Sequence, residues 1–158
     1  MAKKVTLRPL QDGDVRWIAE RLRLEDQQEL RASQGEEVNF EKTIAAAVRC
    51  SSLLWTMDDG EPIAVFGAAP ISLLHRIGTP WMLGTDRVKK QARTLVVRGR
   101  WYVARMAEEY PGGLINFVDV RNTLSVRWLK AVGFTLYPPE PYGVGRLPFH
   151  RFELKRAS

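Results

Sequence analysis

Basic and aromatic side chains are interleaved between positions 81 and 128, a combination that can bind nucleic acid by contacting phosphates and stacking on bases. The aromatic residues fall on apolar stripes, which places them chiefly in the core. Arg93, Arg100 and Arg105 scatter around a predicted helix and do not form one face. A nucleic-acid partner is therefore not expected. The residues concerned are Arg87, Lys89, Lys90, Arg93, Arg98, Arg100 and Arg105, with Trp81, Trp101, Tyr102, Phe117 and Trp128.

The chain as a whole is basic, with 158 residues, a formal net charge of +6 and a pI near 9.8. Such an excess favours anionic partners, either a phosphorylated cofactor or nucleic acid. The alternative is a surface that is basic without a specific ligand, because net charge alone identifies no site.

Cysteine and histidine are too few for a disulfide or a zinc site. Cys50 is the only cysteine, which indicates a reducing compartment, and it is far in sequence from His75 and His150, so no metal is expected. The N-terminus has no apolar stretch long enough for a signal peptide, and the longest apolar region, residues 62–74, is too short to span a bilayer. We expect a globular, cytoplasmic protein.

Hydrophobic periodicity predicts the elements that position these residues. The clearest is a helix over residues 92–110, which a Pro-Gly-Gly run ends. An Asp-Gly pair between two apolar runs predicts a hairpin. Residues 26–37 either continue a helix or form a loop, and residues 70–80 and 138–148 are expected to be connections. The predicted strands are 5–10, 52–57, 62–69, 81–84, 114–120, 134–137 and 149–155, and the predicted helices are 12–22, 40–48, 92–110 and 123–132.

This order of elements predicts a single α/β domain over residues 1–158, with a mixed sheet of about six to seven strands and helices on both faces. The strands flanking the long helix are expected to be parallel neighbours. At the last helix, Asn122 is expected to accept a backbone N–H bond as the N-cap, and Gly133 to adopt a left-handed conformation after the C-terminus.

The segment 122–134 reads Asn-Thr-Leu-Ser-Val-Arg-Trp-Leu-Lys-Ala-Val-Gly-Phe and resembles the late strand, helix, Gly-Phe signature of GNAT N-acetyltransferases. Together with the element order, the resemblance covers nearly the whole chain and implies the GNAT-like acyl-CoA N-acyltransferase fold. The stretch 81–134, with its Gly-Thr-Asp turn, looks more specifically like the GNAT-like internal virion proteins of short-tailed bacteriophages.

The resemblance implies acetyl-CoA or CoA as the cofactor and an amine as the acceptor. The strand at Met82, Leu83 and Gly84 would contact the pantetheine arm, and the loop and helix start that follow would hold the pyrophosphate. In that loop Arg87 matches the family motif, whereas Lys90 stands where a glycine belongs. The implied cofactor-binding residues are Met82, Leu83, Gly84, Arg87, Lys90, Gln91, Ala92, Arg93 and Asn122.

The lysine leaves three outcomes open: pyrophosphate binding is weakened, moved to the side chains of Lys89, Lys90 and Arg93, or lost. The alternative interpretation is a solvated basic helix start with no ligand.

An enzyme of this kind needs a base, since only a free amine attacks a thioester. Asp86 and Asp119 are the catalytic candidates, with His75 a weaker one. Asp119 also suits a structural role, either capping the helix after Asn122 or pairing with an arginine. Many family members carry a tyrosine seven residues after the equivalent of Asn122, which protonates the leaving thiolate, and Leu129 occupies that position here.

Two functions are consistent with these residues. The first is an acetyl-CoA-dependent N-acetyltransferase of phage origin that modifies an unidentified amine. The second is a phage virion or morphogenesis component that keeps the fold without the chemistry, located in the bacterial host cytoplasm or the virion and partnered by virion proteins. Lys90 and Leu129 favour the second, and the fold alone does not decide.

Overall fold

The computed structural model describes residues 4–155, and their strands form one mixed sheet. The strands are β1 (Thr6–Arg8), β2 (Leu53–Asp58), β3 (Pro62–Ser72), β4 (Ile77–Gly84), β5 (Gly113–Asp119), β6 (Thr135–Leu136), β7 (Glu140–Tyr142) and β8 (Leu147–Lys155). The helices are α1 (Asp14–Glu20), α2 (Leu24–Gln34), α3 (Phe40–Cys50), α4 (Ala92–Glu109) and α5 (Thr123–Ala131), and a 3₁₀ helix (Asp86–Gln91) precedes α4.

The sheet order is β1-β2-β3-β4-β5-β8-β6, and β7 also pairs with β8. Strands β4 and β5 are parallel, while the other neighbouring strands are antiparallel. Helix α4 connects β4 to β5, as a crossover between parallel strands requires. The mixed sheet and the parallel pair around the long helix are therefore confirmed.

Helices cover both faces of the sheet and define two apolar layers. Ile18, Leu30 and Ile44 of α1, α2 and α3 pack together on one face, whereas Val103 of α4 and Leu129 of α5 pack on the other. Successive side chains of a strand point to opposite faces, so β4 contributes to both layers.

Two predicted connections contain strand residues instead. In the first, 70–80, β3 extends to Ser72 and β4 begins at Ile77, so only a short turn joins them. Pro80 is compatible with β4 because its missing N–H lies on the side away from β3, where no ladder bond is lost. In the second, 138–148, the strand β7 forms a hairpin with β8.

The ends of α5 bear out one capping prediction and correct the other. Gly133 has a left-handed φ of 107°, and the N–H of Phe134 donates to the carbonyl of Leu129, closing the helix as expected. The Asn122 side chain makes no capping bond to α5. It is buried among charged groups instead, which bind its amide more strongly than a backbone N–H does.

No helix in residues 4–155 is both long and apolar enough to cross a membrane.

Candidate active site

Strands β4 and β5 diverge after a short paired region. They pair only at Ile77 with Gly113 and at Gly78 with Leu114. The N–H of Thr85 donates to the carbonyl of Ile63 in β3 at 2.9 Å, which fixes the alternation of backbone groups along β4. Odd-numbered residues of β4 therefore bond to β3, and even-numbered residues direct their backbone groups towards β5.

The Asn116 side chain bridges the two strands where they begin to diverge. Its Nδ2 donates to the carbonyl oxygen of Pro80 at 2.7 Å, and its Oδ1 accepts from the N–H of Phe117 at 2.8 Å. The amide thus takes the place of a backbone pair, and Pro80 requires no acceptor because it has no N–H. The bridge sets the width of the gap at its narrow end.

Met82 lies in the middle of the gap. Its neighbours on the same side of β4 have partners: Pro80 binds Asn116, and Gly84 donates to Oδ2 of Asp26 at 3.0 Å and accepts from the N–H of Arg23 at 2.9 Å. By the same alternation, the N–H and C=O of Met82 point into the gap, where the pairing of β4 with β5 has already ended. A backbone donor and acceptor are therefore available to a ligand.

A cavity of about 260 Å³ passes through the sheet at this gap. On the face covered by α2 and α3 it is lined by Glu29, Ser33 and Trp81, among others, and on the α4 and α5 face by Ser125 and Leu129. Side chains from both faces of the sheet therefore surround a molecule bound along Met82. This geometry suits a reaction between two substrates that enter from opposite faces.

Glu29 is the only charged side chain among the residues that line this cavity. Its Oε2 accepts a hydrogen bond from Nδ2 of Asn122 at 2.7 Å. Burial, and then the negative charge of Asp26, raise the pKa of Glu29 to about 8. A carboxylate with a pKa near neutrality can accept a proton from an ammonium ion and release it to water.

A buried polar network holds Glu29 in place. Arg23, with 1% of its surface exposed, donates to both carboxylate oxygens of Asp26, at 2.8 and 2.9 Å, and to Asn122 and Ser125, at 2.8 and 2.9 Å. Asn122 in turn donates to Glu29 and, at 3.3 Å, to Asp26. The network joins α2, the end of β4 and the start of α5, which are the three elements around the gap.

Some basic side chains of the loop before α4 form ion pairs, and others do not. Arg87 forms ion pairs with Asp59 and Glu61, each at 2.8 Å, so it faces the β2–β3 turn. Lys89 pairs with Asp86 at 3.2 Å and with a second carboxylate, Glu25, at 3.3 Å. These pairs compete with any phosphate for the two cations.

Lys90 and Arg93 are exposed, and within the described part of the chain neither has an ion-pair partner. Ala92 begins α4 and is exposed beside them, whereas Gln91 is buried. An anion at this helix start would therefore meet two free cationic side chains.

The two carboxylates singled out as catalytic candidates lie outside the cavity lining. Asp86 is exposed and pairs with Lys89. Asp119 is buried and binds Arg121 through both oxygens, the shortest bond being 2.7 Å, so it has the structural arginine pairing considered above.

Of the nine residues predicted to bind a cofactor, Met82, Leu83 and Asn122 line the cavity. Within residues 4–155 no three His, Cys, Asp or Glu side chains are grouped as a metal site.

Comparisons with known proteins rest on structure. The sequence matches no protein-family model, and no curated protein shows significant sequence similarity. The fold is similar to spermidine N-acetyltransferase from Vibrio cholerae in complex with CoA and spermine, with a TM-score of 0.65, 18% identity, and 95% of this chain and 94% of the other covered.

Two other solved structures match over nearly their full lengths. Ard1 from Thermoplasma volcanium has a TM-score of 0.70 and 12% identity, with both chains fully covered. AAC(6')-Ib in complex with ribostamycin and coenzyme A has a TM-score of 0.68 and 13% identity, covering 97% of this chain and 94% of the other. At such identities the similarity establishes the fold. Together with the diverging β4 and β5, these matches show that the chain has the acyl-CoA N-acyltransferase fold of the GNAT acetyltransferases.

Proposed function

We propose that this protein is an N-acetyltransferase that transfers the acetyl group of acetyl-CoA to an amine, with residues 1–158 acting as one domain. The observation that carries the proposal is the unpaired N–H of Met82 in the gap between β4 and β5, with Glu29 lining the same cavity. Two of the similar structures contain CoA, which supports the choice of cofactor.

The gap fits the thioester end of acetyl-CoA. A pantetheine arm contains amide N–H groups, and one of them can donate to the free backbone carbonyl of Met82 as a neighbouring strand would, which leaves the Met82 N–H for the thioester. Gly84, also predicted to contact the arm, already uses both backbone groups within the protein. At the phosphate end, Lys90 and Arg93 are the free cations at the start of α4, and we assign the pyrophosphate to them and not to Arg87.

When bound, acetyl-CoA would supply an activated acetyl group, whose carbon–sulfur bond is exchanged for a carbon–nitrogen bond while the neutral amine loses one proton and the departing thiolate takes one up to become the thiol. The Met82 N–H is placed to donate to the carbonyl oxygen, where negative charge develops. Such a fixed donor stabilises the transition state more than the ground state.

Glu29 acts as the base in this proposal. An amine arrives as an ammonium ion and must lose a proton before its nitrogen can attack. Glu29 lies on the α2 face of the cavity, opposite the α4 and α5 face, and Asn122 orients its carboxylate. Its raised pKa makes the proton transfer from an ammonium less unfavourable than it would be to an exposed carboxylate.

Ser125 is the protic side chain best placed on the opposite face to return a proton to sulfur. Its Oγ accepts from Arg23, which leaves the hydroxyl hydrogen free to donate into the cavity. Ser125 and Leu129 are four residues apart on α5 and therefore share a helix face. The hydroxyl can serve where the family tyrosine is replaced by Leu129.

The proposal is tested by removing the Met82 N–H. In Met82→Pro the ladder with β3 is preserved, because the missing N–H faces the gap as it does at Pro80. We expect kcat for acetyl transfer to fall by about 10²–10³, the usual loss for one oxyanion donor. Met82→Leu keeps the N–H and is the control. Equal activity in the two variants, both folded by circular dichroism, would remove Met82 from the mechanism.

The second candidate is a catalytically inactive phage protein of the virion or of morphogenesis. The pairing of Arg87 with Asp59 and Glu61, and the presence of Leu129, favour it. It predicts that neither acetyl-CoA, CoA nor ADP raises the melting temperature at millimolar concentration. Stabilisation by acetyl-CoA and CoA, exceeding that by ADP, supports the acetyltransferase.

A further inference from the structure

The part of the cavity on the α2 face forms a chamber, here called the acceptor chamber, between α2 and the β7–β8 hairpin. Glu29 and Ser33 of α2 form one wall. Tyr142 of β7 forms the other, and its ring stacks on Phe117 of β5 with 4.0 Å between centroids and 11° between planes. Trp81 of β4 also lines the cavity on this face.

The two walls of the acceptor chamber are hydrogen-bonded to each other. The N–H of Val144 donates to the carbonyl of Ser33 at 3.1 Å, and the N–H of Gly145 donates to the carbonyl of Ala32 at 3.0 Å. These carbonyls belong to the last turn of α2, where a helix has no partners of its own. The hairpin therefore completes the helix end and closes the space between the two elements.

Gly143 allows this close approach. Its φ is +73°, and a Cβ at this position would lie 2.5 Å from Cα of Ser33. A larger residue would push the hairpin away from α2. An extended polypeptide needs about 5 Å beside a strand to lie between two elements, and the direct hydrogen bonds leave no such channel here.

Among the residues that line the cavity, Glu29 carries the one carboxyl group, and no Lys, Arg or His is present. A bound ammonium group favours the ionised form of Glu29, which then neutralises it, while the aromatic side chains of Trp81, Phe117 and Tyr142 suit an apolar body. A second ammonium group on the same molecule would enter without a counter-ion, which is costly away from water.

We infer that the acceptor is a small monoamine, one primary ammonium group on an aromatic or branched aliphatic body, and not a polyamine or a polypeptide N-terminus. The inference rests on the proposed acetyltransferase function, and it specifies what the chamber formed by α2 and the β7–β8 hairpin selects.

The first test compares acceptors by kcat/KM with acetyl-CoA at saturation. The monoamines are 2-phenylethylamine and isoamylamine, and the competitors are spermidine and a hexapeptide with a free N-terminus. We expect at least one monoamine to exceed both competitors by about 100-fold or more, since an unpaired buried charge opposes binding. Spermidine or the peptide reacting as fast as the monoamines, or acetylation of a competitor with none of either monoamine, overturns the inference.

A pair of glycine substitutions tests the closure. Gly143→Ala and Gly133→Ala both place alanine at a positive φ, but only position 143 has a neighbouring backbone within 3 Å, because nothing lies within 4 Å of a Cβ at Gly133. We expect Gly143→Ala to raise KM for 2-phenylethylamine about tenfold or more, and to lower the ratio of kcat/KM for this amine to kcat/KM for the peptide. Gly133→Ala should change neither quantity. If the two folded variants have the same KM and the same ratio of kcat/KM values, the contact between the β7–β8 hairpin and α2 does not select the acceptor.

Binding without acetyl-CoA separates this inference from the proposed function. Titration of 2-phenylethylammonium into the unliganded protein, followed by NMR, is expected to shift the signals of Phe117 and Tyr142, and Glu29→Gln is expected to weaken binding about tenfold. If the amine binds in this way but acetyl-CoA does not, the acetyltransferase proposal fails and the chamber stands. If acetyl-CoA is used to modify the peptide, the chamber assignment alone fails.

Discussion

Glu29 combines a raised pKa with a position inside the cavity. Because burial and Asp26 raise the pKa to about 8, the carboxyl group is largely protonated at neutral pH and becomes a base only as the pH rises. We expect kcat/KM for acetyl transfer to increase with an apparent pKa of about 8. Glu29→Gln should abolish this limb and lower kcat/KM by about 10²–10⁴. An unchanged pH profile in Glu29→Gln would assign the limb to another group.

The same pKa predicts how stability depends on pH. The folded protein holds the Glu29 proton more tightly than the unfolded chain, whose carboxyl titrates near 4.5. Between about pH 4.5 and pH 8 the folded state therefore binds more protons, and this group lowers stability as the pH rises. Urea unfolding at pH 5 and pH 8.5 should show Glu29→Gln gaining stability relative to wild type at the higher pH. A constant difference between the two proteins at both pH values would contradict the raised pKa.

Glu29 could not be found from apolar periodicity, because α2 has no apolar stripe. Its inward face carries Asp26 and Glu29 beside a single large apolar residue, Leu30, so the periodicity that reveals most helices is missing. A signal was present in the charges: Arg23 and Asp26 are spaced to pair on a helix, and Glu29 falls three residues further on the same face. Met82, in contrast, could be placed from the apolar strand and the resemblance.

At the scale of elements, Asn116 controls the gap between β4 and β5. Removing its amide leaves the Pro80 carbonyl and the Phe117 N–H without partners. Asn116→Ala should therefore lower the free energy of unfolding by about 1–3 kcal/mol. It should also weaken acetyl-CoA binding by changing the width of the gap. Calorimetry and urea unfolding measure the two effects.

The matched control is Asn39→Ala, which removes the N-cap of α3, a residue that does not line the cavity. It should cost about 1 kcal/mol and leave acetyl-CoA affinity unchanged. Parallel losses of affinity in the two variants would mean that the effect is one of general stability.

The start of α4 predicts where the phosphates of CoA bind. Lys90→Gln with Arg93→Gln should weaken acetyl-CoA binding about tenfold or more, since two unpaired cations are lost, and should not affect S-acetylpantetheine, which lacks the pyrophosphate. Lys42→Gln with Arg49→Gln, on exposed positions of α3, makes the same change in net charge elsewhere. If the Lys90→Gln and Arg93→Gln variant bound acetyl-CoA and S-acetylpantetheine with equally reduced affinity, these two side chains would not bind the phosphates.

Most elements were predictable because their signals are local. Helix α4 and the turn at Gly133 depend on apolar spacing and on a glycine, and both are present in the sequence. Strand β7 was missed because it lies in a segment rich in proline and glycine, a composition typical of loops. It forms through pairing with β8 and through hydrogen bonds of the hairpin to α2, contacts between residues distant in sequence.

For the whole molecule, the central claim is that the diverging strands receive the thioester arm along Met82. The chain has four methionines, so labelling with ¹⁵N-methionine yields a spectrum that reports directly on this position. Met57 is buried in β2 and is an internal reference. On titration with acetyl-CoA we predict a large shift of the Met82 amide and little change at Met57. A saturating titration that leaves the Met82 amide unmoved, or that moves both amides equally, would contradict the account.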